Sequence, residues 1–385
     1  MAKIVYISEL DFTGSGYSHI AINLCKGLVE QGHEVKVCAL SYKNEEHNWN
    51  FSILPAKSVP ELTGMFHNLY HVWKPDVLIV ALDIPWQEMM LHHLQQYNTP
   101  YIAITPLESD PLCMSWAMTL MQAKKVFFLS EFATKEAEKV GVPAEHLRIG
   151  VDTKAWRMAK LDEKKKLRQS LLGIEDDETF IILTIADNQE RKNLSAAMQI
   201  VSGFGKTVTE NYRYIVITRS GNSIGWRLRD LANDERVSIG DKYVEFDRGL
   251  SFKELWGLYA CADVFLLTSK GEGFGFPVTE AMSVGVPVVV TEVGALIEHV
   301  TEGGGWLIEP AFVTIDPYGN ANRYYVNIDD GVNALAAVHS GLDVKETIQS
   351  ARKYVESRNW DIPVLQLSAA IERLVEKNEQ TKTEE

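Results

Sequence analysis

Residues 270–290 carry the clearest structural pattern of the chain, Lys270-Gly-Glu-Gly-Phe-Gly-Phe-Pro-Val-Thr-Glu280-Ala-Met-Ser-Val-Gly-Val-Pro-Val-Val-Val290. The pattern predicts a glycine-rich loop, a helix that opens at Pro277, and a buried strand. Glycines at 271, 273 and 275 permit positive φ and let backbone N–H groups approach a ligand closely. Such a layout is suited to a phosphorylated, hydroxyl-rich ligand, and we expect a nucleotide sugar.

Two glutamates lie in this stretch with seven residues between them, Glu272 on the loop and Glu280 in the first turn of the predicted helix. Carboxylates placed in this way can each accept hydrogen bonds from a pair of sugar hydroxyls. The alternative is that the glycines only make a strand-to-helix turn, while both glutamates are solvated or complement the helix dipole. This spacing alone does not distinguish the two interpretations.

Strands and helices alternate along the rest of the chain, which predicts an α/β fold with parallel sheets covered on both faces. The predicted strands are residues 4–7, 34–40, 77–82, 101–104, 125–129, 179–185, 214–218, 264–267 and 286–291. The glycine-rich loop follows the strand at Val264, at its carboxyl end, where open α/β sheets bind ligands.

The run from Glu272 to Val289 resembles the donor-site signature of the retaining glycosyltransferases of family 4, and Gly150-Val-Asp152 resembles that family's crossing between domains. The resemblance implies the GT-B fold, two Rossmann-like domains with parallel sheets facing across a cleft. Residues 1–152 would form the acceptor domain, completed by a C-terminal helix at 360–385, and residues 153–359 the nucleotide-sugar donor domain. A chain of 385 residues is long enough for two such cores.

The same resemblance implies roles for the residues of the loop. In the family, the residue matching Glu272 contacts the donor sugar and the residue matching Glu280 binds the nucleotide ribose. The backbone at Gly273, Phe274 and Gly275 lies beside the sugar and the diphosphate.

A second segment, Arg248-Gly249-Leu250, resembles the backbone that holds the nucleobase in that family. The alternative for these three residues is a plain strand-to-helix turn.

Arg191 and Lys192 stand at the start of a predicted helix, where two cations oppose the positive end of the helix dipole. An anion nearby would remove this cost, whereas ordinary solvated side chains are the alternative. The resemblance favours Lys192 on the donor diphosphate. Many family members have an arginine six residues before this lysine, but Ala186 stands there, so Arg191 either compensates or points away.

The first βα turn contains Gly14, Ser15 and Gly16. It lacks the third glycine of a dinucleotide-binding fingerprint, which disfavours a nicotinamide site. In family 4 the matching loop approaches the donor phosphates and the acceptor, and the resemblance extends that role to these three residues.

The reaction centre departs from many relatives, which carry a histidine after the strand that matches Tyr101–Ile104. This chain has Thr105-Pro-Leu-Glu108-Ser-Asp110-Pro-Leu112 there, which resembles a segment found in a subset of the family with Glu108 at an aspartate position. A carboxylate can accept the acceptor's hydroxyl proton or stabilise an oxocarbenium-like centre. The catalytic candidates are Glu108, Lys192 and Glu272. If Glu108 only orders its loop, which is the alternative, Asp110 is the next candidate for its role.

Composition narrows the class of protein. A net charge of −14 disfavours a broadly cationic nucleic-acid binder, and four cysteines without ligand spacing predict free thiols and no structural zinc. The lack of a signal-like start or of a long apolar run leads us to expect a cytoplasmic protein without a transmembrane segment. Residues 316–325, rich in turn-forming and aromatic residues, could form a surface excursion, a dimer contact or part of the cleft.

The expected function is that of a retaining, metal-independent glycosyltransferase, which moves a sugar from a nucleoside diphosphate sugar to an acceptor hydroxyl without a further cofactor. Alternatives within the fold are a sugar phosphorylase or an epimerase of nucleotide sugars. A noncatalytic nucleotide-sugar-binding partner and a DNA-modifying glycosyltransferase are alternatives from other classes.

Overall fold

The computed structural model of the chain describes residues 1–12, 15–219 and 225–384, which fall into two compact units. The first unit comprises Met1–Gly150, Tyr318–Ala321 and the segment from Asn359 onward, and the second comprises Val151–Pro317 and Asn322–Arg358. The sequence prediction had placed 318–321 in the second domain. They pack in the first unit because the Tyr318 ring meets Trp116 edge-on at 5.1 Å between ring centroids.

The first unit is built on a seven-stranded sheet whose strands pair in parallel in the order β3-β2-β1-β4-β5-β6-β7. Its strands are β1 Lys3–Glu9, β2 Glu34–Leu40, β3 Ser52–Ala56, β4 Val77–Ala81, β5 Tyr101–Thr105, β6 Lys125–Phe128 and β7 Ala144–His146. The helices between them are α1 Gly16–Glu30, α2 Val59–Val72, α3 Ile84–Leu94, α4 Met114–Leu120 and α5 Glu131–Lys139.

The second unit has a six-stranded parallel sheet in the order β10-β9-β8-β11-β12-β13 and a separate antiparallel hairpin, β14-β15. Its strands are β8 Phe180–Ile185, β9 Tyr212–Thr218, β10 Tyr243–Asp247, β11 Val264–Leu267, β12 Val288–Thr291, β13 Trp306–Ile308, β14 Pro310–Ile315 and β15 Asn322–Val326. Its helices are α6 Leu161–Leu172, α7 Leu194–Thr207, α8 Leu228–Asp234, α9 Phe252–Cys261, α10 Phe276–Val284, α11 Gly294–Gly303, α12 Ile328–His339 and α13 Val344–Glu356.

The central strands of both sheets are buried along their whole length, as β4, β5, β8 and β11 show. Helices on both faces of a parallel sheet exclude water from its two surfaces, so these strands appear in the sequence as continuous apolar runs. The predicted α/β fold with two parallel sheets is confirmed.

The strand order reverses once in each sheet, between β1 and β4 in the first unit and between β8 and β11 in the second. At such a switch point the loops that follow two adjacent strands leave the carboxyl ends of these strands in opposite directions, and a crevice for a ligand opens between the loops. The order of the second sheet therefore brings the segment after β8 beside the glycine-rich loop after β11.

The last helix, α14 Asp361–Glu384, packs in the first unit against α1. Gly27 on α1 allows this close approach, since an added Cβ would lie 2.3 Å from Val364. The Gln366 amide donates to the His146 carbonyl oxygen at 3.0 Å, and His33 contacts the Ser368 hydroxyl at 2.8 Å.

Two further expectations concern cysteines and membrane spans. All four cysteines are free thiols, as predicted, with Cys113 only half-buried. Over the described residues, no helix combines the length and apolar character needed to cross a bilayer.

Candidate active site

The glycine-rich loop joins β11 to α10 and turns into the helix at Gly275, which caps it with φ of 90°. A Cβ on Gly275 would lie 2.9 Å from the Leu296 side chain and 3.4 Å from Glu272 Cγ, so both the backbone conformation and the space require glycine. The helix begins at Phe276, one residue before the predicted start. Glu280 is therefore its fifth residue and lies beyond the first turn, where the sequence prediction had placed it.

Glu272 lies on this loop among the two predicted cations. Its carboxylate is 2.5 Å from Lys192 Nζ and 3.5 Å from the Arg191 guanidinium, and it accepts a hydrogen bond from the Ser269 hydroxyl at 3.2 Å. Arg191 also donates to the Gly271 carbonyl oxygen at 2.6 Å, so its side chain lies at the loop and does not point away. The switch-point neighbours β8 and β11 thus bring together residues 80 positions apart in the chain.

The cations set the charge state of Glu272. Burial of this side chain, which is 8% exposed, raises the pKa of its carboxyl. The positive charges of Lys192 and Arg191, with hydrogen bonds from Lys192 and Ser269, outweigh burial and leave the pKa below its ordinary value. Glu272 is therefore an ionised carboxylate at neutral pH.

Glu280 has the opposite environment. Its side chain is 6% exposed and accepts a hydrogen bond from the Tyr259 hydroxyl on α9 at 2.8 Å. Burial raises the pKa of its carboxyl to about 7, although the Tyr259 hydrogen bond and the charge of Arg248 act in the lowering direction. One loop and one helix thus carry two buried carboxyl groups with pKa values shifted in opposite directions, a feature of functional sites.

Arg248 follows β10 and engages Asp187, with its guanidinium 2.5 Å from that carboxylate. Arg219 lies 3.2 Å from the same carboxylate. Gly249 has φ of 95°, and the partly buried Leu250 packs against the core of the unit. The three predicted nucleobase residues form a turn in the same unit as Glu280, and the Arg248 charge acts on Glu280.

Residues 164–316, most of the second unit, match the family described as Glycosyl transferases group 1. The second unit is a glycosyl transferases group 1 domain. An uncharacterized glycosyltransferase of Methanocaldococcus jannaschii is 31% identical over 141 residues, which cover 36% of this chain and 33% of that protein. An O-antigen chain mannosyltransferase of Escherichia coli is 31% identical over 124 residues, 32% of this chain and 31% of that protein. The chain thus spans about a third of the length of each of these two relatives.

Solved structures match nearly the whole chain at low identity and show its fold. Sucrose-phosphate synthase from Thermosynechococcus elongatus superposes with a TM-score of 0.76 at 17% identity, covering 97% of this chain and 99% of that one. HepE of Anabaena in complex with UDP and glucose superposes with a TM-score of 0.70 at 15% identity, covering 98% and 100%. The predicted GT-B class is confirmed, and the finer assignment to family 4 stays a prediction.

The group 1 domain holds functional candidates that sequence reasoning missed. Lys270 precedes the loop, is 3% exposed, forms an ion pair with Glu190 and lies 4.1 Å from the centre of the Tyr325 ring. A lone lysine two residues before Glu272 gave no signal of burial, because its anionic and aromatic partners come from distant segments. Tyr259 was missed for the same reason, since it lies 21 residues before Glu280.

The candidates of the first unit lie near its own switch point. Gly14 falls outside the described residues. Ser15 is the N-terminal cap of α1, and its hydroxyl donates to Glu9 at 2.8 Å. Gly16 is the first residue of α1, so it belongs to the helix and not to the preceding loop as predicted. The helix includes Gly16 because Ser15 takes the N-cap position, where its carbonyl oxygen accepts a hydrogen bond from the backbone N–H of His19 at 3.4 Å.

Glu108 is half-buried on the segment after β5, close enough to influence Tyr17. Burial raises the pKa of the Tyr17 hydroxyl, which donates to Asp83 at 2.6 Å, and Asp83, Tyr318 and Glu108 add to the rise. Tyr17 and Asp83 follow β1 and β4, and their place at the switch point was the signal that could have found them. The role of Glu108 at a reaction centre stays a prediction.

Gly275→Ala is expected to destabilise the group 1 domain by about 1–3 kcal/mol, because alanine is strained at positive φ and its Cβ would clash with the Leu296 side chain. Gly240→Ala is the matched control, with φ of 83° and no atom within 4 Å of the added Cβ. Chemical unfolding of both variants measures the difference. Equal losses would show that the loop tolerates a side chain at Gly275.

Proposed function

We propose that the chain transfers a sugar from a nucleoside diphosphate sugar to an acceptor hydroxyl, with retention at the anomeric carbon. The observation that carries the proposal is the pair of buried carboxyl groups on one loop and helix, Glu272 ionised among cations and Glu280 with a pKa of about 7. Sugar and ribose hydroxyls are neutral hydrogen-bond donors, so a buried carboxylate can bind them without a second charged group in the site. HepE, which shares the fold, is known in complex with UDP and glucose.

The donor's diphosphate would lie at the start of α10, near Lys192 and Arg191. In the structure these cations neutralise Glu272. A bound diphosphate would share them, and the donor sugar's hydroxyls would then satisfy the carboxylate. Fixed positive charge at this point stabilises the charge that develops on the leaving diphosphate. In the mechanism that the family resemblance implies, the leaving group also takes part in deprotonating the acceptor, on the same face as the donor.

Binding tests the donor half of the proposal. We expect UDP-glucose or GDP-mannose to raise the free energy of unfolding by about 2.7 kcal/mol at a ligand concentration of about 100 Kd. Differential scanning fluorimetry with UDP-, GDP- and ADP-sugars identifies the donor, with glucose and mannose as controls that lack the nucleotide. If none of the nucleotide sugars stabilises the protein, the donor site is wrongly assigned.

Turnover separates a transferase from a noncatalytic binder. With the donor that binds, release of the nucleoside diphosphate should exceed the rate in buffer, and a carbohydrate acceptor should increase it. Tight binding without release, across a panel of acceptors, would support the noncatalytic alternative. Salt-sensitive binding to duplex DNA would support the DNA-modifying alternative.

A further inference from the structure

His299 lies on α11 with 1% of its surface exposed. Its Nε2 is 2.7 Å from the carbonyl oxygen of Phe274, in the glycine-rich loop. Its Nδ1 is 2.7 Å from the hydroxyl of Tyr354 on α13. A buried polar side chain thus connects two helices of the second unit to the backbone of the loop that carries Glu272.

The two contacts define the hydrogen positions. A carbonyl oxygen only accepts hydrogen bonds, so Nε2 must carry the hydrogen and donate to Phe274. In the neutral ring Nδ1 is then an acceptor, and the Tyr354 hydroxyl donates to it. The Phe274 carbonyl therefore selects the tautomer, and the Tyr354 hydroxyl holds the other side of the ring as a donor to Nδ1.

Packing holds both rings in place. The His299 ring meets Phe274 edge-on at 4.9 Å between centroids, with 88° between the ring planes. Tyr354 is 6% exposed and packs against Gly303, where an added Cβ would lie 2.9 Å from its ring. The hydrogen-bonded chain from Tyr354 through His299 to Phe274 has little freedom to rearrange.

We infer that His299 is a positioning residue for the donor diphosphate. The carbonyl and the amide N–H of a trans peptide point in opposite directions. By holding the Phe274 carbonyl, His299 turns the N–H of Gly275 away from itself, at the start of α10. Backbone N–H groups and the helix dipole favour an anion at that point. This inference rests on the proposed function, because it requires the donor's phosphates at this helix start.

The test compares ligands with and without phosphates. His299→Phe keeps an aromatic ring and its edge-on packing but removes both hydrogen bonds. We expect the affinity for UDP or GDP to fall about tenfold, the effect of one misplaced hydrogen bond to a charged group. Affinity for uridine or guanosine should not change, because these ligands carry no phosphate for the N–H of Gly275 to bind. Isothermal titration calorimetry on the full chain measures all four ligands.

Two variants separate positioning from folding. His299→Gln offers an amide N–H in place of Nε2–H and should recover much of the diphosphate affinity. Tyr354→Phe removes the hydrogen bond that holds Nδ1 and so loosens the orientation of the His299 ring, which should lower diphosphate affinity while leaving the nucleoside unaffected. If His299→Phe does not fold, these two variants carry the comparison.

Each outcome is decisive. An unchanged diphosphate affinity, or an equal loss for diphosphate and nucleoside, would overturn the role of His299 while leaving the proposed function intact. A wild-type protein that binds none of the four ligands would remove the proposed function, and the inference with it.

Discussion

Glu280→Gln is expected to weaken binding of the nucleotide by about tenfold to a hundredfold at about pH 8, because two ribose hydroxyls lose a charged acceptor. The variant should also lose the pH dependence of binding. In the wild-type protein the Glu280 carboxyl has a pKa of about 7, and ribose hydroxyls favour its ionised form. Wild-type affinity should therefore fall about tenfold from about pH 8 to about pH 6, with proton release on binding that is largest near the lower pH and nearly absent at the higher one.

The same substitution should stabilise the protein without ligand. Burial raises the folded-state pKa of Glu280 from 4.5 to about 7, so between these values the folded chain holds a proton that the unfolded chain releases. Stability is thus lost as pH rises through this window, by at most about 3 kcal/mol. Glutamine removes the cost, so Glu280→Gln should unfold at higher temperature than wild type at about pH 8 and at a similar temperature at about pH 5.

Tyr259→Phe is the control for this prediction. The Tyr259 hydroxyl donates to Glu280 and lowers its pKa against the effect of burial. Without it, the midpoint of the pH profile should move to higher pH while the carboxyl group remains. Calorimetric titrations across the pH range measure both variants. If Glu280→Gln kept the affinity and the pH profile of the wild type, Glu280 would not contact the ligand.

The sheets could be predicted because burial on both faces leaves a strong trace in sequence. Strands such as β4, β8 and β11 are short continuous apolar runs, and a buried parallel strand requires this. The outer strands leave a weaker trace. β3 contains Pro55, which an edge strand tolerates but which interrupts the run of strand-forming residues in the sequence. β7 has only three residues. Neither was predicted.

The carboxyl groups of the site could be predicted from the sequence, but their partners could not. Sequence reasoning assigned Lys192 to a phosphate, and the structure pairs Lys192 with Glu272. Spacing along the chain cannot connect residues 80 positions apart. The reversal of strand order between β8 and β11 connects them, and that order is a property of the folded sheet. His299 was missed because its partners, Phe274 and Tyr354, lie 25 and 55 positions away.

Lys192→Met is expected to lower kcat by about a hundredfold to a thousandfold, the usual cost of removing one preorganised positive group from a developing anion. It should also destabilise the free protein. The charge of Lys192 helps to keep the pKa of the Glu272 carboxyl below its ordinary value in the folded protein. A carboxyl group with a lowered folded-state pKa stabilises the fold at a pH above its pKa in the unfolded chain, and this contribution is lost as the pH falls through the folded-state pKa. Without Lys192, fewer positive charges counteract the effect of burial, so the pKa of Glu272 rises. The contribution of the Glu272 carboxylate to the free energy of unfolding then becomes smaller at neutral pH.

A double variant separates the two effects. Lys192→Met with Glu272→Gln removes both charges, so no buried carboxylate is left with a weakened counter-ion, and stability should recover relative to Lys192→Met alone. Turnover should not recover, because the leaving diphosphate still lacks its cation. Lys206→Met, on the exposed last turn of α7, controls for the change in net charge and should alter neither quantity. Single-turnover rates and chemical unfolding measure the set. If Lys192→Met lost stability but kept kcat, Lys192 would serve only as the counter-ion of Glu272, and Arg191 with the backbone amides of α10 would have to stabilise the leaving group.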